Sequence, residues 1–248
     1  MTVRRLPILL SCAAVGALFA LPAAAQPAGQ SAGQSAGCGA FPAPAVTFDL
    51  TLVPIQRNDG LSIAQLARVP GRAPGPAGSA NGHVLGLTQA RYGEQSQVGA
   101  LFQPMADGSF CAAAKTLAVS FGFQQRVVYV ARELPSGSCI HGEVLGHEMK
   151  HIAVDEGLLR EFAPLIRRRL DETVVRLGPV RSRSQQQAMA AIRRPLEVAL
   201  RTAMQEFGRE RDRRQALVDS PQEYERITRV CNGEVRNYLP QAPARGRV

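Results

Sequence analysis

Strand-like patterns and helical patterns occupy separate halves of this 248-residue chain, and that separation limits its fold more than any other feature. Residues 46–52 and 83–88 have the β-propensity and partial alternation of strands. Residues 110–123 and 125–131 predict two further strands, with a turn at Gly122 between them. The first half of the chain is therefore expected to form a small sheet.

Helices are predicted through most of the second half. The first spans residues 141–177, the second 184–217, and a short third helix spans 220–230. Strands followed by helices, without alternation, are typical of an α+β domain rather than of a parallel α/β sheet. The fold prediction is a small antiparallel or mixed N-terminal sheet, then a long helical hairpin and a short C-terminal helix.

The first 25 residues have the features of a secretory signal peptide. Arg4 and Arg5 form a basic n-region, residues 6–21 are largely apolar, and small residues precede the expected cleavage after Ala25. Lipidation at Cys12 is the less favoured alternative, because most of the apolar stretch follows that cysteine. No later segment is a membrane-span candidate, so a secreted or periplasmic protein is expected.

Low-complexity segments border the predicted domain. Residues 26–45 repeat Ala, Gly, Gln and Ser and cannot bury enough apolar surface to offset the entropy of ordering, so a flexible tether is expected. Residues 46–240 form the predicted single domain, with a surface loop at 70–82 that is dense in Gly and Pro. Residues 241–248 are predicted to be a disordered tail.

Four cysteines remain after the expected cleavage, an even number that is typical of disulfides in an exported protein. Three pairings are possible. We favour Cys139 with Cys231 and Cys38 with Cys111, because the first bridge would tie the C-terminal segment to the first long helix. A zinc site built from these cysteines is not expected, since no two have ligand spacing.

The net charge is +9, or +7 without Arg4 and Arg5, and much of it lies in arginines between Arg160 and Arg214. Nucleic-acid binding would use such charge, but the chain has no Trp, only four Tyr and no recognisable nucleic-acid-binding module. The favoured interpretation is a solvated basic face that is attracted to anionic surfaces of the cell envelope.

One pentapeptide, His147-Glu148-Met149-Lys150-His151, predicts a specific chemistry. Residues four apart lie on the same face of a helix, so both imidazoles can bind one zinc ion. Glu148 is the predicted general base, which would take a proton from the attacking water. Two core histidines that merely accept hydrogen bonds are the alternative, but this does not explain their spacing around Glu148.

A zinc hydrolase needs a third protein ligand, and Glu210 is the leading candidate. If the long helices pair from their shared turn, residues near 211 lie opposite the motif, and Glu210 falls within the apolar stripe of the second helix. A glutamate at the edge of that stripe, paired with an arginine, is the alternative role. Asp155 and Glu156 are too far along an unbroken first helix to reach the ion.

Three residues near position 220 are further candidates for the site. Glu223 would approach the motif if Cys139 and Cys231 were joined, although a capping box with Ser220 explains this glutamate without a metal. Asp219 is either a ligand or a residue that orients a ligand histidine. Tyr224 is a candidate for stabilising the oxyanion of peptide hydrolysis.

The pentapeptide is the H-E-x-x-H signature, and from it onward the chain resembles the zincin metalloproteases. Residues 146–170 also resemble the motif helix of an uncharacterised family of bacterial secreted predicted zinc proteases. In that family an acidic residue, here Glu156, follows the second histidine by five positions. The likeness covers residues 125–225, where Asp219 matches but a histidine expected shortly after it is missing, so a carboxylate would have to replace it.

These resemblances imply a zincin-like α+β fold and an exported zinc-dependent peptidase that acts on peptides or proteins. Residues 125–131 are expected to form the edge strand that pairs with an extended substrate across the motif helix. A hypothesis from a different class is a non-catalytic, basic cell-envelope protein that binds a partner through its helical hairpin.

Overall fold

A computed structural model gives the fold of the chain, and it describes residues 37–70 and 83–240. The protein is α+β, as predicted, with a five-stranded sheet of which four strands precede the two long helices and the fifth lies between them. The predicted signal peptide, most of the predicted tether and of the loop at 70–82, and the predicted tail lie outside the described residues. The elements are β1 (Ala45–Leu52), β2 (Gln56–Asn58), α1 (Ile63–Leu66), β3 (Gly86–Pro104), β4 (Phe110–Val130), α2 (Cys139–Leu177), β5 (Val180–Ser182), α3 (Gln185–Val218), α4 (Pro221–Arg229) and a 3₁₀ segment (Cys231–Asn237).

The sheet is built around β4. β3 runs antiparallel along one edge of β4 over nearly its whole length. The other edge of β4 is shared by three short strands, which follow one another along it in the order β5, β1 and β2. Strands β1 and β2 run parallel to β4, whereas β5 runs antiparallel to it. Within the described ranges, the outer edge of β3 pairs with no other strand.

Two predictions about β4 are wrong. Residues 125–131 do not form an edge strand, because the C-terminal part of β4 pairs with β2 on one side and with β3 on the other. Gly122 is not a turn, because β4 continues through it in register with Thr51 of β1. A Cβ atom at Gly122 would lie 1.9 Å from the carbonyl oxygen of Thr51, so this glycine permits a close approach of two strands.

One face of the sheet packs against α2 and α3. Alternate residues of β4 from Leu117 to Phe123 are almost completely buried, as expected for one face of a strand. They form a hydrophobic cluster with side chains of both long helices, including Leu170, Ile192 and Phe207. This cluster fixes the C-terminal part of α2 against the sheet.

A second hydrophobic cluster lies at the N-terminal end of α2. Ile140 and Val144 of α2 pack there with Ile63 of α1 and Val235 of the 3₁₀ segment. The cluster described above contacts α2 only from Leu158 onward. The part of α2 between the two clusters carries the predicted metal motif.

The bounds of α2, α3 and α4 agree with the sequence predictions to within two residues. Each of the three helices begins after a serine whose side chain accepts a hydrogen bond from a backbone N–H of the first turn. No helix in the described part of the chain is long and apolar enough to cross a membrane.

The favoured disulfide pairing is confirmed. Cys38 bonds to Cys111 with an S–S distance of 2.06 Å, and Cys139 bonds to Cys231 at 2.01 Å. The first bridge joins the segment before β1 to β4. The second joins the start of α2 to the segment that follows α4, across a sequence separation of 92 residues.

Replacement of Gly122 by alanine is expected to lower the free energy of unfolding by about 3 kcal/mol, because the methyl group would overlap a β1 carbonyl. Gly157→Ala is the matched control: a Cβ atom at Gly157 of α2 meets no atom within 4 Å. Alanine is also favoured over glycine in a helix by about 0.5–1 kcal/mol. Denaturant titration measures both changes, and a Gly122→Ala protein as stable as the parent would contradict the close approach.

Candidate metal centre

The two histidines of the motif lie on the buried side of α2. The side chains of His147 and His151 are 10% and 11% exposed. Their Nε2 atoms are 3.3 Å apart, and the two rings meet at an interplanar angle of 87°. The four-residue spacing explains this arrangement, because it places both rings on one face of the helix, one turn apart.

Asp219 is the third member of this group. Its Oδ1 atom lies 3.2 Å from Nε2 of His147 and 3.2 Å from Nε2 of His151. Asp219 is the C-cap residue of α3 and directly precedes Ser220, the N-cap of α4, so the junction of these helices sets its position. Partial burial would raise the pKa of Asp219, but its interactions with His147 and His151 hold that pKa well below its usual range.

The three ligand atoms form a nearly equilateral triangle with sides of 3.2, 3.2 and 3.3 Å. Tetrahedral zinc binds nitrogen and oxygen ligands at about 2.0–2.1 Å, which separates neighbouring ligand atoms by about 3.3–3.4 Å. The triangle therefore fits three corners of a tetrahedron and leaves the fourth corner for a non-protein ligand. Two imidazoles and one carboxylate are a donor set that suits zinc.

One other group of possible ligands occurs among the described residues. It contains Cys139, Cys231 and Glu234. The two cysteines are joined in a disulfide, so their sulfur atoms are not thiolates and do not suit a metal ion. The histidine–aspartate group is therefore the candidate metal centre.

The candidate metal centre faces solvent on the side of Asp219. The Asp219 side chain is 29% exposed and Tyr224 is 41% exposed. The Tyr224 hydroxyl donates a hydrogen bond to Oδ1 of Asp219 at 3.4 Å, and its ring lies 6.1 Å from that of His147. Tyr224 thus borders the open side of the group, and its role in stabilising an oxyanion stays a prediction.

Glu148 is held between α2 and β3. It is 4% exposed, and its Oε2 atom accepts a hydrogen bond of 2.8 Å from the hydroxyl of Thr88 on β3. Burial raises the pKa of the Glu148 carboxyl, although the charges of His151 and His147 oppose this effect. Thr88 was not predicted as a site residue, because nothing in the local sequence of β3 indicates which helix residue it contacts.

Gly86 allows the start of β3 to lie directly against Glu148. A Cβ atom at position 86 would be 2.5 Å from Oε1 of Glu148 and 2.7 Å from Cγ1 of Val144. Any larger residue at this position would have to displace the carboxylate or the strand. The absence of a side chain at Gly86 therefore helps to set the position of Glu148.

Glu210, the leading candidate for the third ligand, does not join the histidines. Its carboxylate accepts hydrogen bonds of 2.7 to 2.8 Å from Arg213 and Arg214, which lower its pKa to about 2. This is the arginine-paired role that the sequence analysis gave as the alternative. The predicted register between the two long helices was wrong. The turn contains β5, so the helices do not pair from it as assumed. Position 215 rather than 211 therefore lies opposite the motif.

Glu223 contacts the candidate metal centre from outside. Its Oε1 atom is 3.4 Å from Nδ1 of His147, the ring nitrogen that faces away from Asp219, and 2.6 Å from Nζ of Lys150. Hydrogen bonds led by that from Arg226 lower the pKa of Glu223 to about 2. Glu223 is therefore placed to orient His147 rather than to share a metal ion with it.

The two acidic residues that follow the motif also have other partners. Asp155 is completely buried and accepts hydrogen bonds from Arg211 and Gln215 of α3. Glu156 pairs with Arg126 of β4 at 2.5 Å. Neither belongs to the candidate metal centre, as the distance along the helix predicted.

Two polar residues of α3, Arg211 and Gln215, were missed by the sequence analysis. Oε1 of Gln215 lies 2.5 Å from Nδ1 of His151. A signal for both was present, because the four-residue spacing of buried positions that includes Phe207 continues through 211 and 215 to Asp219. Both residues are polar, so the apolar stripe predicted for the second long helix did not include them.

Comparisons of the chain with protein-family models, with curated proteins and with solved structures find no match. The resemblance to zincins therefore gains no support from a relative.

Proposed function

We propose that the protein is an exported zinc-dependent peptidase in which His147, His151 and Asp219 bind the metal ion and Glu148 is the general base. The observation that carries the proposal is the triangle of ligand atoms with sides of 3.2 to 3.3 Å. These atoms come from α2 and from the α3–α4 junction, so only the tertiary fold brings them together.

The hydrogen bonds on the outer side of the rings favour a cation at the centre. Nδ1 of His151 faces the amide oxygen of Gln215, and Nδ1 of His147 faces a carboxylate oxygen of Glu223. Neutral rings with their protons on Nδ1 direct both Nε2 lone pairs toward Asp219, which adds a third electron-rich atom. These converging lone pairs would be stabilised by a positive ion.

The proposed mechanism uses residues that surround this centre. Zinc, when bound, supplies a Lewis acid that lowers the pKa of a water molecule to about 7. Glu148 takes a proton from the attacking water and returns it to the leaving amine. The hydrogen bond from Thr88 orients the Glu148 carboxylate, and Tyr224 on the open side is the proposed donor to the oxyanion.

β3 is the proposed binding edge for the substrate, in place of residues 125–131. Thr88 and Gly86 at the start of β3 adjoin Glu148. The outer edge of this strand has no strand partner in the described ranges, so its backbone groups suit β-addition. A peptide paired with this edge would have to be extended, and the proposed substrate class is therefore an unfolded or extended polypeptide.

Asp219→Ala is expected to weaken zinc binding at least about 100-fold, because it removes one of three protein ligands. Glu210→Ala is the matched control, since this residue of α3 pairs only with neighbouring arginines among the described residues. Competition with a chelating dye measures zinc affinity in purified protein. Equal weakening in both variants, or none in Asp219→Ala, would contradict the ligand assignment, as would stoichiometric zinc in His147→Ala.

Glu148→Gln is expected to retain zinc but to reduce hydrolysis of an unstructured protein substrate by about 10² to 10⁴-fold, because the base is lost. Glu172→Gln, at an exposed position on the same helix, is the control and should keep full activity. Hydrolysis by the parent protein should disappear with a chelator and return with added zinc. A Glu148→Gln protein that is fully active would refute the assignment of the base.

The alternative function makes a different set of predictions. A non-catalytic envelope protein that uses its basic hairpin would keep the histidines as core residues or as a structural metal site, and it would cleave no substrate with or without chelator. Zinc analysis of the purified parent protein followed by the hydrolysis assay therefore separates the two functions.

A further inference from the structure

Asp155 is a completely buried carboxylate that no step of the proposed mechanism uses. Burial of an unpaired carboxylate would strongly destabilise the fold. Arg211 compensates for it by donating two hydrogen bonds to the carboxylate, of 2.7 and 3.0 Å. A third hydrogen bond, of 2.6 Å, is donated to the same carboxylate by Nε2 of Gln215.

These contacts determine which end of the Gln215 amide faces His151. The Nε2 group donates to Asp155 and, at 3.1 Å, to the backbone carbonyl oxygen of His151. Both partners are acceptors, so the reversed amide would lose both hydrogen bonds and place its oxygen against two other oxygens. The amide oxygen of Gln215 is therefore directed at the ring of His151.

The orientation of Gln215 in turn determines the tautomer of His151. Oε1 of Gln215 lies 2.5 Å from Nδ1 of His151, and an amide oxygen can only accept a hydrogen bond. Nδ1 of the ring therefore carries a proton. In the neutral ring this leaves the lone pair on Nε2, which faces Asp219 and His147.

We propose that Gln215, oriented by Asp155 and Arg211, is a positioning residue that holds His151 in the tautomer able to bind a metal ion. The importance of this role for metal binding rests on the proposed function, whereas the tautomer is a property of the metal-free protein as well. Nδ1 of His147 faces a different residue, Glu223, so Gln215 orients His151 alone.

Gln215→Met is the first test, because methionine has a similar length but neither accepts nor donates as the amide does. Zinc binding is expected to weaken about 10- to 100-fold, the usual effect of losing a partner of a ligand histidine. Gln205→Met, at an exposed position on the same helix, is the matched control. Unchanged zinc affinity in Gln215→Met would overturn the proposal.

The tautomer itself is read from ¹⁵N chemical shifts of the ring in metal-free protein, at a pH well above the pKa of the imidazole. The chain has only four histidines, so the ring signals can be assigned. The parent protein should show His151 with its proton on Nδ1, and Gln215→Met should show a mixture of tautomers. A proton on Nε2 of His151 in the parent would overturn the proposal, even if the protein bound no zinc.

Gln215→Glu separates orientation of the amide from simple packing, because it keeps the size of the side chain but removes the N–H groups that donate to Asp155 and to the carbonyl oxygen of His151. The new carboxylate would face these two acceptors, so zinc binding should weaken. Zinc affinity as high as in the parent protein would refute the orienting role. Circular dichroism of each variant confirms that it is folded.

Discussion

The candidate metal centre depends on the register between α2 and α3, which is fixed by polar contacts one helical turn apart. Three pairs of side chains make these contacts, one after another along the two helices. At one end is a buried ion pair, and at the other end is the carboxylate of the candidate metal centre. The pairs are Asp155 with Arg211, His151 with Gln215, and His147 with Asp219. A shift of one helix by one turn would separate the partners of all three pairs.

The buried ion pair contributes more to the specificity of helix alignment than to the stability of the fold. Removing two charges from water costs much of what their attraction returns, so an ion pair such as Asp155 with Arg211 adds little net free energy to folding. A misaligned helix pair, however, would leave the completely buried Asp155 without its partner and would be strongly disfavoured. The apolar cluster between the long helices supplies the attraction, and the ion pair selects the alignment that brings Asp219 to the histidines.

The sequence was most informative where local spacing determines structure. The bounds of the long helices were predicted to within two residues, and the spacing of His147 and His151 predicted two rings on one face. It was least informative where pairing between distant segments decides. Whether residues 125–131 are central or at an edge depends on which strands join them, and Gly122 has the same local signal as a turn. Glu210 does not lie beside the histidines, because its predicted position depended on an assumed geometry of the turn.

The Cys139–Cys231 bridge makes the helical part of the molecule a covalent ring. The residues proposed for metal binding, proton transfer and positioning on α2, on α3 and at the α3–α4 junction all lie between the two cysteines. A single backbone cut in the turn between the long helices would open this ring but leave the two pieces joined through the disulfide. The two pieces would remain at high effective concentration, so that re-association would be an intramolecular event. The proposed peptidase would thereby tolerate a single backbone cut made by another copy of itself.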